Sequence, residues 1–263
     1  SLQLFIQALQ RSADKIVGIH IKLDTGMHRL GFTEEELPSL LKLLQEHKAL
    51  KVLSIFSHLA ASENTQFDNF TKVQQHFFDK MSALLIKTIG YTPLLHLANS
   101  AAITRHPNLH YNMVRLGLGL YGIADDEVMQ KQLQEVALLK TRIAQIKHIA
   151  AGESVGYSRN FVATNPMKIG VINIGYADGY PRNLGNGVAH VLVHNQAAKI
   201  IGNICMDLCM IDLSSIESVQ EGDEVILFNQ ELRIQQLAKW ANTIPYEIMT
   251  GISQRVKRVY MEA

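Results

Sequence analysis

The chain has 263 residues, 47% of them hydrophobic, enough apolar material for one large core or two medium ones. Its 25 basic and 24 acidic side chains leave a formal charge of +1, so the electrostatic footprint of a nucleic-acid or anionic-membrane binder is absent. No run of about 18 apolar residues could span a bilayer, and the opening SLQLFIQALQRSADK lacks a charged start followed by an apolar stretch. The two cysteines, Cys205 and Cys209, stand four apart in one apolar segment, where a strand would put them on one face without bonding. A cytoplasmic protein with no nucleic-acid and no membrane partner is expected.

In chain order, residues 15–23 (KIVGIHIKL), 50–57 (LKVLSIFS), 94–98 and 112–116 read as strands bounded by polar turns. Between the first two, Thr33 and Glu36 have capping-box spacing, and Leu37, Leu40, Leu41 and Leu44 make a helical stripe. Before the third, Phe67, Phe70, Phe77, Met81, Leu84 and Leu85 recur at helical spacings, with Gly90 as the stop. Strands alternating with helices predict a parallel sheet or barrel over 1–133. Four strands are half of an eight-stranded barrel and would leave open parallel edges, as though the chain began in the middle of a fold. From 134 to 263 the texture is mostly β, with strands expected at 141–149, 167–174, 189–193, 198–213 and 224–228.

In a barrel, chemistry gathers at the carboxyl ends of strands. Here those ends carry Lys22, Asp24 and Arg29, then Ser57 and His58, then Asn99 and Ser100, then Arg115 with Gly117 and Gly119. Each has an ordinary structural reading as an ion pair, a core histidine or a turn. Four polar exits in succession point to a site. Ser100 with the RLGLG loop suits a phosphate cradle, because small residues let backbone N–H groups approach an anion and a hydroxyl adds a donor. Arg115, permanently charged, could donate to the acceptor nitrogen of a bound ring and hold it unprotonated. In the β-rich half, Tyr157, Tyr176 and Tyr246 follow small or turn-forming residues, a setting equally suited to packing. The CxxxC of GNICMDLCMIDL has no second pair at ligand spacing, so no metal site is expected.

HIKLDTGMHRLGF, FSHLA, HLANSAA, NMVRLGLGLYGI, VGYSRNF, IGYADGYPRN, GNICMDLCMIDL and IPYE with QRVKRVY occur in this order. Together they resemble the motifs of the alanine racemases, fold-type III pyridoxal-phosphate enzymes. The resemblance implies the second half of a (β/α)8 TIM-type barrel followed by a carboxyl-terminal, mostly β domain. It implies pyridoxal 5'-phosphate as cofactor, interconversion of L- and D-alanine by two-base proton transfer, supply of D-alanine to peptidoglycan, and a homodimer whose active sites are shared across the interface.

Carried over by position, the resemblance sets Arg115 against the pyridine nitrogen, which disfavours side reactions such as transamination. His58 would bridge Arg115 to Tyr157. Ser100, Gly117, Leu118 and the Tyr246 hydroxyl would hold the phosphate, with Asn99 beside them. Arg29 would reach the ring's phenolic oxygen and the substrate carboxylate, and Lys22, carbamylated in many members, would orient it. Tyr157 would be one catalytic base, acting in the partner's site. The Met206 backbone would meet the substrate carboxylate with Asp207 beside it, and Tyr176 and Tyr246 would narrow the entrance.

The family's cofactor lysine lies near the amino terminus, on the first barrel strand, before an alanine-, tyrosine- and glycine-rich stretch that has no counterpart in this sequence. A carboxyl-terminal portion with little or no activity by itself is therefore expected. Two other readings compete: a noncatalytic dimerisation or regulatory module of a larger polypeptide, and a related pyridoxal-phosphate amino-acid decarboxylase. The VGYSRNF and GNICMDLCMIDL pair argues against the decarboxylase.

Overall fold

The structure is a computed structural model that describes residues 16–124 and 126–261. The opening stretch 1–15, including the Lys15 expected to begin the first strand, lies outside the described residues. The chain divides into two compact units, Ser1–Gln134 and Glu135–Ala263.

In the first unit, β1 (Val17–Lys22), β2 (Leu50–Phe56) and β3 (Leu94–His96) form a parallel sheet in that order. The crossovers are helical: α1 (Leu37–Glu46) between β1 and β2, and α2 (Asp68–Ile89) between β2 and β3, as parallel pairing requires. Ile21, Val52 and Ile55 of the sheet share one core with Leu40 and Leu44 of α1 and with Phe78, Met81 and Leu85 of α2. Alternation along the strands turns His20, Lys22, Phe56 and His96 to the other face.

Three expectations for the first unit need correction. Helix α1 begins at Leu37, not at Thr33, because Pro38 fits the first turn; Glu36 still reaches back to the Thr33 N–H at 2.9 Å, half of a capping box. Helix α2 buries the expected Met81 and Leu85 together with Phe78, while Phe77 is half-buried and Phe70, Leu84 and the cap residue Phe67 are exposed, so the stripe departs from the expected one at its aromatic positions. It does end at Gly90, in the left-handed conformation.

The largest correction concerns 112–116, which is not a strand, leaving three parallel strands among the described residues instead of four. This segment runs beside β3 and donates from Asn112 N–H to Leu95 O (3.0 Å) and from Arg115 N–H to Ala98 O (3.0 Å). The Leu95 N–H, however, is taken by the Asn112 side chain at 2.8 Å. A side-chain acceptor has replaced a backbone one, and no ladder propagates.

The second unit is a closed six-stranded barrel ordered β10-β7-β4-β11-β8-β9. It uses β4 (Leu139–Ile149), β7 (Met167–Ile172), β8 (His190–Val193), β9 (Gln196–Ile201), β10 (Cys209–Asp212) and β11 (Glu224–Phe228), all paired antiparallel. Closure removes every open edge of that sheet. A two-residue pair, β5 (Ser154–Val155) with β6 (Phe161–Val162), frames the VGYSRNF turn. The run 198–213 is two strands, not one, broken by a turn over 202–208; Cys209 is therefore buried in β10 whereas Cys205 lies in the turn, both as free thiols. Two short helices, α5 (Ile234–Trp240) and α6 (Pro245–Gly251), complete the unit; α3 (Ser100–Arg105) and α4 (Glu127–Gln130) belong to the first.

The loop leaving β1 is the best-tied exit of the sheet. Asp24 Oδ1 accepts from the N–H groups of Gly26 (3.0 Å), Met27 (3.1 Å) and His28 (3.0 Å). Phe32 N–H returns to Lys22 O at 2.9 Å, and at Gly31 (φ +124°) a Cβ would stand 2.7 Å from the Asp24 nitrogen, so only glycine closes the loop. Burial pushes the Asp24 carboxyl upward, but the three backbone donors and His28 outweigh it and hold it below the usual carboxylate range. Asp24→Ala should cost about 2 kcal/mol at neutral pH, the worth of donors to a charged acceptor. A folded-state value below the unfolded one gives a stabilisation that is complete above about pH 4 and lost as pH falls further. Urea unfolding of both proteins across that range checks this; a difference independent of pH would contradict it.

Candidate active site

The carboxyl ends of the parallel strands converge on Arg115. Its guanidinium donates to Ser57 O (2.7 Å), Leu97 O (3.1 Å) and His96 O (3.2 Å), and to the Nδ1 atoms of His96 (2.7 Å) and His58 (3.2 Å). Its Cζ lies 5.6 Å from the centre of the Phe56 ring, on which His96 stacks at 5.0 Å. Burial pulls the guanidinium down from its ordinary value, though an arginine stays charged at neutral pH. Burial, then the charges of Arg115, Arg29 and Lys22, lower His58. A neutral His58 that accepts at Nδ1 carries its proton on Nε2 and presents it as a donor.

Ser100 opens α3 (Ser100–Arg105), and its hydroxyl accepts from the N–H of Gly117 at 2.8 Å and of Gly119 at 3.4 Å. The serine and the glycine loop are thus gathered at one point although 17 residues separate Ser100 from Gly117. Leu118 is buried between the two glycines. Asn99 is the cap of α3: its Oδ1 accepts from Ala102 N–H (3.0 Å) and from the Ser62 hydroxyl (2.8 Å). Its side chain therefore holds the helix that holds Ser100. A cavity of about 230 Å³ adjoins this point, with Ser100, Leu118 and Gly119 in its lining.

At the end of β1 Lys22 is half-buried, and on the loop that follows Arg29 is exposed. Burial, then the Arg29 charge, lower the Lys22 ammonium, against a smaller opposing pull from Asp24. Arg29 also bears on His58, so the two strand-end groups share one electrostatic neighbourhood.

In the second unit, Tyr157 projects from a turn between Gly156 (φ +76°) and Ser158 (φ +62°) and is 71% exposed. The buried Asn203 anchors that turn by donating to Tyr157 O at 2.9 Å. Tyr176 and Met206 lie on adjoining loops, joined where Tyr176 N–H meets Cys205 O (3.1 Å) and Ala177 N–H meets Met206 O (2.9 Å). Asp207 is ion-paired to Arg255 at 2.5 Å, and the same guanidinium bonds Asp178 at 2.7 Å, so one arginine from the QRVKRVY motif ties both loops. Tyr246 lies in α6 and is 44% exposed.

Four residues of this architecture were not singled out from sequence: Phe56, His96, Asn203 and Arg255. His96 and Asn203 lie inside the quoted motifs HLANSAA and GNICMDLCMIDL, but their partners are 19 and 46 residues away. Only the strand register across β1, β2 and β3 could have paired His96 with the site.

Two family models match the chain: the alanine racemase N-terminal domain over residues 2–125 and the alanine racemase C-terminal domain over 136–260. An alanine racemase from a Nostoc species is 40% identical over 253 residues, which cover 94% of this chain and 65% of that protein. The chain thus spans just under two thirds of that relative's length. Among solved structures, the alanine racemase of the D-cycloserine producer Streptomyces lavendulae superposes with a TM-score of 0.91 at 30% identity, covering all of this chain and 71% of that one. The Bartonella henselae alanine racemase with covalently bound pyridoxal phosphate matches at TM-score 0.87 and 31% identity, covering 98% and 70%. The chain belongs to the alanine racemase family.

Proposed function

We infer that the chain forms part of a pyridoxal-phosphate-dependent alanine racemase that interconverts L- and D-alanine, its parallel strands belonging to a (β/α)8 barrel over 1–133 and its β domain, 134–263, serving the partner's site in a homodimer. The observation that carries the reading is the polar cluster at the strand ends: the Arg115 guanidinium on one side and, on the other, the Ser100 hydroxyl, which accepts from the N–H groups of Gly117 and Gly119 and keeps its own proton to donate. The residues fit a phosphorylated pyridine. A Cβ on Gly119 would come within 2.8 Å of the Leu116 side chain and 3.8 Å of the Ser100 oxygen, so the loop packs closely where an anion would meet the serine. Bound pyridoxal phosphate would supply an electron-withdrawing ring that makes the α-hydrogen of alanine acidic.

Ser100, Gly117 and Leu118, with Asn99 behind them and the Tyr246 hydroxyl, would hold the phosphate. Arg115 can only donate, so against the ring nitrogen it would keep that atom unprotonated. His58, neutral and proton-bearing at Nε2, would orient the phenolic oxygen of Tyr157, the base for one face, whose ordinary value of about 10 needs cationic neighbours to fall. Arg29 would neutralise the substrate carboxylate, met from the other side by the Met206 backbone, with Asp207 held beside it by Arg255 and Tyr176 narrowing the entrance. The lowered Lys22 ammonium favours the neutral amine that carbamylation requires, and a carbamylated Lys22 would orient Arg29. Free thiols at Cys205 and Cys209 suit a reducing, cytoplasmic setting. No helix among the described residues is long and apolar enough to cross a membrane.

The direct test is conversion of L-alanine to D-alanine with pyridoxal phosphate added, by the protein alone and combined with the amino-terminal barrel segment of a family member. D-alanine in the combined sample is expected; no D-alanine in either sample, or carbon dioxide release instead, would overturn the reading. In active protein, Tyr157→Phe should slow α-hydrogen exchange in one direction by about 10²–10⁴-fold and leave cofactor binding intact. Wild-type rates in both directions would remove Tyr157 from the role of base.

A further inference from the structure

Behind Arg115 a line of hydrogen bonds crosses the whole parallel sheet on the face away from the helices. His96 on β3 meets Arg115 through Nδ1 at 2.7 Å and the hydroxyl of Ser54 on β2 through Nε2 at 3.0 Å. Ser54 in turn meets Nδ1 of His20 on β1 at 2.7 Å. We propose that Ser54 and His20 are positioning residues for Arg115, acting through His96 in a relay that fixes the proton of His96 on Nε2 and keeps Nδ1 as an acceptor facing the guanidinium. The relevance of the relay to catalysis rests on the role inferred above for Arg115.

The direction of the relay follows from chemistry. A guanidinium has five donors and no acceptor, so the His96 Nδ1 facing it must be unprotonated, and a neutral imidazole then carries its proton on Nε2. That N–H donates to the Ser54 oxygen, which leaves the serine proton to be donated to His20 Nδ1. Burial, with the Arg115 charge and then His20 adding to it, lowers His96 to about 4, so it is neutral at physiological pH. Ser54 is 1% exposed and His96 6%, so neither could readily exchange these partners for water.

A second observation shows that the pairing is built. The parallel register of β1 and β2 slips by one residue: Ile19 faces Val52, but His20 faces Ser54, so Leu53 is the extra residue. Bulges in parallel pairs are rare and re-aim side chains. Leu53 lies across Gly18, where a Cβ would stand 2.5 Å from its Cδ1, so a side chain at 18 would require Leu53 to move. Without the slip, Leu53 would oppose His20. Stacking of His96 on Phe56, with 2° between their planes, fixes the ring plane; the relay then decides which edge faces Arg115.

Histidine-ring ¹⁵N NMR tests this directly on the protein as it is. The wild type should show His96 as a single tautomer protonated at Nε2. Ser54→Ala should shift both His96 ring nitrogens and lose the single-tautomer pattern, and Ser54→Thr, which keeps a hydroxyl, should restore it. His20→Ala should move the His96 Nε2 resonance in the wild-type background and leave it unmoved in the Ser54→Ala background. In catalytically active protein, Ser54→Ala should lower kcat by about tenfold with KM unchanged, the scale of one hydrogen bond to a charged group. A His96 proton on Nδ1, or ring nitrogens indifferent to Ser54→Ala, would overturn the relay. The NMR changes in a protein that binds no pyridoxal phosphate even when combined with the amino-terminal barrel segment would support the relay and instead sink the cofactor reading.

Discussion

A half-buried guanidinium must have its donors accepted, and at Arg115 that demand organises the first unit. Three carbonyls, Ser57 O, His96 O and Leu97 O, come from the ends of two parallel strands, and two imidazole nitrogens also accept, all from Nη1 and Nη2 of the guanidinium. Carbonyls become available there because a parallel strand that ends stops giving its acceptors to a neighbour. The strand ends therefore both create the site and pay for the charge inside it. With Arg115 as a pure donor in front of His96 and the Ser54 hydroxyl behind it, the proton positions of His96, Ser54 and the Ser54–His20 bond agree, and His58 meets the same guanidinium separately.

The second unit solves a different problem, that of presenting exposed groups from loops without leaving them loose. Closure of six antiparallel strands supplies the rigid frame. Asn203 then holds the Tyr157 turn through its backbone, accepting at the same time from Asn160 (3.3 Å) and Asn186 (3.0 Å). Arg255 spans Asp178 and Asp207, and Ser253 N–H donates to Asp178 O at 2.9 Å, so the carboxyl-terminal segment straps the loops of Tyr176 and Met206 together. Surface ion pairs are individually weak, but one arginine shared by two carboxylates confers geometry even where it adds little stability.

Much of this was legible in the sequence because buried parallel strands are apolar runs and their exits are not. Lys22, His58, Ser100 and Arg115 stand out for that reason. What the sequence concealed is long-range. The 112–116 segment has strand-like composition, but the Asn112 side chain takes the Leu95 N–H that a strand backbone would have used. His96 looks like an ordinary apolar-run histidine until β3 is set beside β2, and Ser54 meets His20 only through a register slip that no local pattern announces. Asn99 follows an apolar run in the sequence, but the Ser62 hydroxyl that its capping side chain also accepts from lies 37 residues away. Arg255 sat in a recognised motif, but its two carboxylate partners lie 77 and 48 residues away.

The claim on which the rest depends is that Arg115 offers a bound pyridine ring a donor and never an acceptor. The ¹⁵N resonance of ring-labelled pyridoxal phosphate bound to the protein measures this at the atom concerned. An unprotonated, hydrogen-bonded ring nitrogen at neutral pH is the predicted result. A protonated ring nitrogen would contradict the account, because no acceptor on Arg115 could hold that proton in place.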